Sequence, residues 1–277
     1  MKAHNNTSAI GIFDSGVGGL SVLRALHQSL PNEDYIYIAD QAHIPYGPRS
    51  RQELLAFSKA ISHYLLHNEA KLVVVACNTA SAAALKTLRA DYPDTNFVGM
   101  EPAVKPAVEQ SESGVVGVLA TPSTFEGDLY ASVVGRFAQG ATLLSDTCSG
   151  LVEEIEAGRA NGTEAKRILA SALEPMLAQG LDTVVLGCTH YPFALDSIRE
   201  ITGPDVRLID PSPAIANRVE SLLIERDALN PSNLSGSTKY LTTGESSRMR
   251  TRIQELLNND VAVERLNWDQ GKIISLD

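Results

Sequence analysis

Two of the three cysteines in this 277-residue chain, Cys77 and Cys188, stand where short apolar runs give way to small polar side chains. Val-Val-Ala-Cys77-Asn78-Thr79 and Val-Leu-Gly-Cys188-Thr189-His190 are matched frames. A second apolar run precedes each at nearly the same distance: Gly11-Ile-Phe-Asp14-Ser15 before the first, and Gly117-Val-Leu-Ala-Thr121-Pro-Ser-Thr124 before the second. An isolated cysteine at a buried strand end is ordinarily a small hydrophobe. Two in matched frames, each at the expected start of a helix whose free N–H groups favour a thiolate, point instead to chemistry. A thiolate and a thiol on opposite faces of one carbon can remove a proton from one side and return a proton to the other. Asp14 and His190 are ionisable and could tune such a pair. Ser15, Asn78, Thr79, Thr121, Thr124 and Thr189 are uncharged hydrogen-bonding groups suited to carboxylates and ammonium groups.

The same residues admit other chemistries. Cys77, Cys188, His190 and Asp14 are all metal donors, and three suffice for a catalytic zinc, but no C-x₂-C or H-x₃-H spacing occurs. Gly16-Val-Gly18-Gly19 follows a strand and opens a helix, with Asp40 placed like a ribose-binding acid. Ser21 stands for the third glycine, however, and no P-loop Lys-Ser or Lys-Thr follows. A tight turn bringing backbone close to a small ligand explains the glycines as well. The simplest places for His27, His63 and His67 are helix faces, solvated or partly buried. Cys148 reads as a structural residue at a helix entrance. The run Glu153-Glu154-Ile-Glu156 reads as a solvated helix start favoured by the helix dipole.

The elements that must position these residues follow from periodicity. Buried strands are expected at Ala9–Phe13, Tyr35–Ala39, Leu72–Cys77, Phe97–Met100, Val115–Ala120, Thr142–Leu144, Thr183–Gly187, Val206–Ile209 and Lys239–Thr242, with a weaker one at Val261–Leu266. Amphipathic helices are expected between them, among them Arg49–His67, Thr79–Ala90, Phe125–Phe137, Leu151–Ala157, Glu164–Ala178 and Pro213–Arg226. Strand–helix alternation means parallel α/β sheets, which bind ligands beyond the strands' carboxyl ends. The matched frames suggest an internal duplication. With 23 basic and 33 acidic residues the net charge is −10, which disfavours nucleic acid or an anionic membrane as partner. Three cysteines are too few for a disulfide scaffold, so a reducing cytoplasm is expected. The polar start Met1–Ser8 shows no secretory h-region, and no apolar run approaches the ~20 residues of a membrane span.

Asp14-Ser15-Gly-Val-Gly-Gly-Leu-Ser-Val, Pro45-Tyr46-Gly47, Ala76-Cys77-Asn78-Thr79-Ala-Ser-Ala, Ala120-Thr121-Pro-Ser-Thr124 and Leu186-Gly-Cys188-Thr189-His190-Tyr-Pro together resemble the glutamate racemases of the aspartate/glutamate racemase superfamily. The likeness runs in order from about Ile10 to Ser212. It implies cofactor-independent interconversion of L- and D-glutamate, for use in peptidoglycan, with Cys77 and Cys188 as the two proton carriers. Asp14 would assist near Cys77 and His190 near Cys188. Ser15, Tyr46, Gly47, Asn78, Thr79, Thr121, Thr124 and Thr189 would bind substrate, with no metal. Glu156 falls at the family's acidic position near the site. The implied fold is two pseudo-symmetric α/β domains, 1–100 plus 209–277 and 101–208, with the active site in the cleft; a homodimer is compatible with it. Cys148-Ser stands where the family often has Cys-Pro, Ser123 replaces a common glycine, and no activator site built on a long N-terminal extension is expected. Racemisation of aspartate or another amino acid, and a non-catalytic amino-acid-binding regulator, are the alternatives.

Overall fold

Each apolar run becomes a strand, because a run buried on both faces can satisfy its backbone only inside a sheet. The computed structural model describes residues 6–275, so residues 1–5 of the polar start lie outside it. The strands are β1 (Ile10–Asp14), β2 (Tyr35–Ala39), β3 (Leu72–Val75), β4 (Asn96–Gly99), β5 (Val115–Leu119), β6 (Thr142–Asp146), β7 (Thr183–Leu186), β8 (Arg207–Ile209), β9 (Thr238–Thr242), β10 (Val263–Asp269) and β11 (Lys272–Ser275). They form a seven-stranded sheet, β11-β10-β9-β2-β1-β3-β4, and a four-stranded sheet, β6-β5-β7-β8.

The two sheets repeat one topology. β1 lies between β2 and β3 with β4 beyond, and β5 lies between β6 and β7 with β8 beyond, all parallel. Ile12 sits opposite Tyr37 and Val74; Val118 sits opposite Ser145 and Val185. In such an order the connections leave the first strand in opposite directions and open a crevice beyond its carboxyl end. Asp14-Ser15 and Cys77 therefore flank one crevice, Thr121 and Cys188 the other. The duplication read from the sequence is present as this shared strand order.

The structure moves several expected elements. The helix expected from Arg49 begins at Arg51, where Ser50 and Glu53 form a reciprocal capping box. The helix expected at Phe125–Phe137 breaks into Pro122–Phe125 and Asp128–Phe137, with Gly127 as the second N-cap. β6 extends two residues past Leu144, because a half-exposed strand tolerates the polar Ser145-Asp146. Helix Val104–Gln110 and strand β11 were not anticipated. β11 pairs antiparallel with β10 across a two-residue turn, Gln270-Gly271, in which both residues have positive φ.

Two features lock the sheets together. One continuous apolar core runs from Ile10, Val74 and Leu23 through Leu119, Leu186 and Tyr191 to Val219 and Ile253, so both sheets share it. Helix Ser212–Glu225 follows β8 of the small sheet, packs against helix Leu20–Ser29 of the large one, and leads to β9.

Candidate active site

The carboxyl ends of β1, β3, β5 and β7 converge on a cavity of about 270 Å³. That is below the ~300–1,000 Å³ of drug-sized sites and suits a small metabolite. Ser15, Cys77, Asn78 and Thr79 line it from the seven-stranded side; Thr121, Cys188, Thr189 and His190 line it from the other. Tyr46 and Gly47 of the loop after β2 close one wall. Both cysteines are almost fully buried, at 5% and 6% exposure, and all three cysteines are free thiols. Among the described residues lining the cavity there is no Lys or Arg.

The two thiols sit in unlike surroundings. Cys77 is the N-cap of helix Asn78–Asp91, and its Sγ accepts the Ala80 N–H at 3.4 Å. Burial, and next the nearby Asp14 charge, push its thiol well above the usual range, although N–H groups of Ala80 and Ser15 oppose them. Cys188 Sγ lies 3.7 Å from His190 Nδ1, and His190 Nε2 lies 2.7 Å from Glu156 Oε1. Burial alone would lower the His190 imidazole, but its bonds to Cys188 and Glu156 outweigh that and hold it well above its ordinary 6.5. Burial would raise Glu156 in turn, but the His190 hydrogen bond and charge, with the Val17 amide, bring it below its ordinary 4.5. The pair is therefore an imidazolium–carboxylate couple, 2% and 7% exposed, directed at one sulfur.

Glu156 corrects the reading of its acidic run as a solvated helix start. Glu153 is exposed and Glu154 pairs with Arg159 at the surface, but Glu156 faces inward. Its Oε1 accepts the Val17 N–H at 2.6 Å, so it also ties the small sheet's helix to the glycine turn after β1. That turn is shaped for this contact. A Cβ on Gly16 would stand 2.0 Å from Glu156 Oε1, and one on Gly18 would stand 2.4 Å from His190 Nδ1. The glycines admit a carboxylate and an imidazole of the same chain, which removes the dinucleotide reading. Asp40, the supposed ribose ligand, is buried and bonded to four side chains of its own protein.

The remaining expected residues divide by position. Asp14 is fully buried behind the lining; its Oδ2 accepts the Gly16 N–H at 3.0 Å and its Oδ1 the Thr189 hydroxyl at 3.4 Å. Burial pushes its carboxyl up, with His190 pulling against it. Thr124 does not reach the cavity: it stands behind Thr121, 3.0 Å from that hydroxyl, which in turn meets Thr79 Oγ1 at 2.7 Å across the two halves. Asn78 is 3% exposed, and neither end of its amide has a partner among the described residues. Two buried polar atoms left open on a cavity wall are a place kept for a ligand. Cys148, read as structural, instead belongs to the cavity wall beside Ser149 and Gly150, with φ of +44°. Its segment follows β6, whose half-exposed end lacks the apolar-to-polar contrast that marks the other strand ends. Among the described residues no group of three or more His, Cys, Asp or Glu side chains is arranged to hold a metal ion.

Residues 10–219 match the model of the Asp/Glu/hydantoin racemase family. The chain belongs to this family. It is 48% identical over 269 residues to a glutamate racemase of Roseiflexus sp., covering 97% of both chains. A glutamate racemase isoform from Bacillus anthracis has the same fold with a TM-score of 0.87 at 30% identity, covering 97% of this chain and all of that one. The glutamate racemase of Francisella tularensis in complex with D-glutamate superposes with a TM-score of 0.82 at 31% identity, over 94% and 97% of the two chains. Among the described residues no helix is long and apolar enough to cross a membrane.

Proposed function

We propose that this racemase-family chain interconverts L- and D-glutamate by moving the α-proton between Cys188 and Cys77, with no cofactor. The observation that carries the reading is the placement of one thiol on each side of a single small cavity, at equivalent strand ends of two like sheets. The family's named relatives supply the substrate; the geometry supports the mechanism. Cys77, its thiol raised by burial and Asp14, enters as the acid. Cys188, facing the His190 imidazolium, enters as the base. When the α C–H bond breaks, its proton forms an S–H on Cys188 and the electron pair delocalises into the substrate carboxylate. The Cys77 S–H then breaks to form a new C–H on the opposite face, and the reverse direction exchanges the roles. With no Lys or Arg in the described lining, the carboxylates fall to neutral donors: Ser15, Asn78, Thr79, Thr121, Thr189 and backbone N–H groups by Tyr46 and Gly47. The domains expected at 1–100 plus 209–277 and at 101–208 would close on the substrate between them. The product would serve peptidoglycan synthesis, with the thiols kept reduced in the cytoplasm.

The test is α-proton exchange and racemisation of each glutamate enantiomer in D₂O, with aspartate run in parallel. Cys77→Ser and Cys188→Ser should each lose racemisation by at least about a hundredfold, the scale of general acid–base catalysis. Undiminished racemisation by either variant would defeat the two-thiol mechanism, and faster turnover of aspartate would defeat the substrate assignment.

A further inference from the structure

Asp40 directly follows β2 and is 0% exposed, yet it does not line the cavity and the proton transfer does not use it. Its carboxylate is surrounded by four side chains from three segments, the loop after β2, the end of β9 and β10. Oδ2 accepts the Tyr46 hydroxyl at 2.6 Å and faces His43 Nδ1 at 2.9 Å. Oδ1 accepts the Thr243 hydroxyl at 2.8 Å and the Trp268 Nε1–H at 2.7 Å. Its backbone N–H donates to the Asp14 carbonyl at 2.9 Å, so the carboxylate is anchored to the central strand of the site. A fully desolvated carboxylate is retained only where its lone pairs are this completely used, and charge-assisted bonds are the strong ones.

What those bonds hold is a loop that faces substrate. Tyr46 and Gly47 are cavity wall, and Ser123 of the other half donates its hydroxyl to the Gly47 carbonyl. The loop is thus pinned at Tyr46 by Asp40 and at Gly47 by the opposite sheet. The His43 ring stacks on Phe57 at 3.9 Å and meets the Trp268 ring edge-on at 4.8 Å, so the C-terminal strand β10 belongs to the same assembly.

We propose that Asp40 is a positioning residue that sets the Pro45–Tyr46–Gly47 wall for glutamate, and that it couples this wall to β10 through Trp268. This rests on the reading that the wall receives the substrate. Trp268 is the chain's sole tryptophan, so its emission reports on the assembly without interference.

The experiment compares the full-length wild type with Asp40→Asn and Thr243→Val, measuring KM and kcat for D-glutamate and tryptophan emission with and without saturating D-glutamate. Asp40→Asn should raise KM about tenfold, as expected when one charge-assisted bond to the wall weakens, with kcat changed less than KM. Wild-type emission should shift on saturation, and that shift should vanish in Asp40→Asn. Thr243→Val removes a donor that never touches the cavity and should raise KM in the same direction, whereas Thr243→Ser should restore it. An unchanged KM in folded Asp40→Asn or Thr243→Val would overturn the proposal, as would an emission shift that persists in Asp40→Asn. A role in folding alone would lower the melting temperature and kcat through the folded fraction while leaving KM alone. A wild type inactive on glutamate would instead overturn the functional reading.

Discussion

Replacing Glu156 by Gln tests the couple that faces Cys188. Glu156 Oε1 accepts from both Val17 N and His190 Nε2, at 2.6 and 2.7 Å. A glutamine carbonyl can stand in the same place and accept both bonds, so the shape and these two bonds survive while the negative charge and the 3.4 Å bond that Oε2 accepts from Gln41 Nε2 are lost. Charge-assisted bonds contribute about 1.5–3 kcal/mol and neutral ones about 0.5–1.5, so the variant should be destabilised by about 1–2 kcal/mol. The pH dependence is the sharper readout. Glu156 is lowered in the folded protein, so its contribution is present above its ordinary 4.5 and is lost as pH falls through the folded value. His190 is raised, so its contribution is complete below its ordinary 6.5 and is lost as pH rises through the folded value. The wild-type-minus-variant difference in unfolding free energy should therefore be greatest between pH 4.5 and 6.5 and shrink on both sides. Urea titrations from pH 4 to 9 would measure it, with imidazole NMR following His190 directly. In the variant His190 should lose its proton at lower pH, and the alkaline limb of kcat/KM should move down with it. A stability difference that is flat across this range, or a His190 titration identical in both proteins, would refute the coupling.

Three further perturbations separate site from scaffold. Gly18→Ala places a methyl 2.4 Å from His190 Nδ1 and 2.6 Å from Thr189 Oγ1, so the imidazole must move; displacements near 1 Å cost about a hundredfold in rate, and steady-state kinetics should show that loss with KM changed far less. Asn78→Ala deletes an amide that has no partner among the described residues, so thermal melting should show it no less stable than wild type while KM for glutamate rises at least about tenfold. Ser50→Ala removes the capping box of helix Arg51–His67; chemical denaturation should show a loss of about 1 kcal/mol with kcat/KM unchanged.

The strand ends that carry the chemistry were readable because a strand buried on both faces leaves an unbroken apolar run, and the first polar residues after it mark the carboxyl end. Asp14-Ser15, Cys77-Asn78-Thr79, Thr121 and Cys188-Thr189-His190 all stand at such ends, and their repetition announced the two like sheets. β6 escaped in part, and with it the wall around Cys148, because a half-exposed strand ends without that contrast. Thr124 shows the opposite error: a hydroxyl at the right strand end still needs the right face, and its helical turn directs it behind Thr121.

Local sequence alone thus determined the alternation of elements, the sheet class and the pairing of the two thiols, since these depend on side-chain periodicity within a few residues. Tertiary structure decided what surrounds the thiols. Glu156 meets Val17 across 139 residues and Asp40 meets Trp268 across 228, and in each case the charge is buried only because a distant backbone or ring arrives to receive it. An acidic residue on a helix start or a strand end looks alike whether it faces water or a buried donor. Glu156 reaches the Val17 amide only because one sheet packs against the other, and Asp40 meets Thr243 and Trp268 only because β9 and β10 return beside β2 in its own sheet; desolvating either carboxylate is favourable only once those donors are in place.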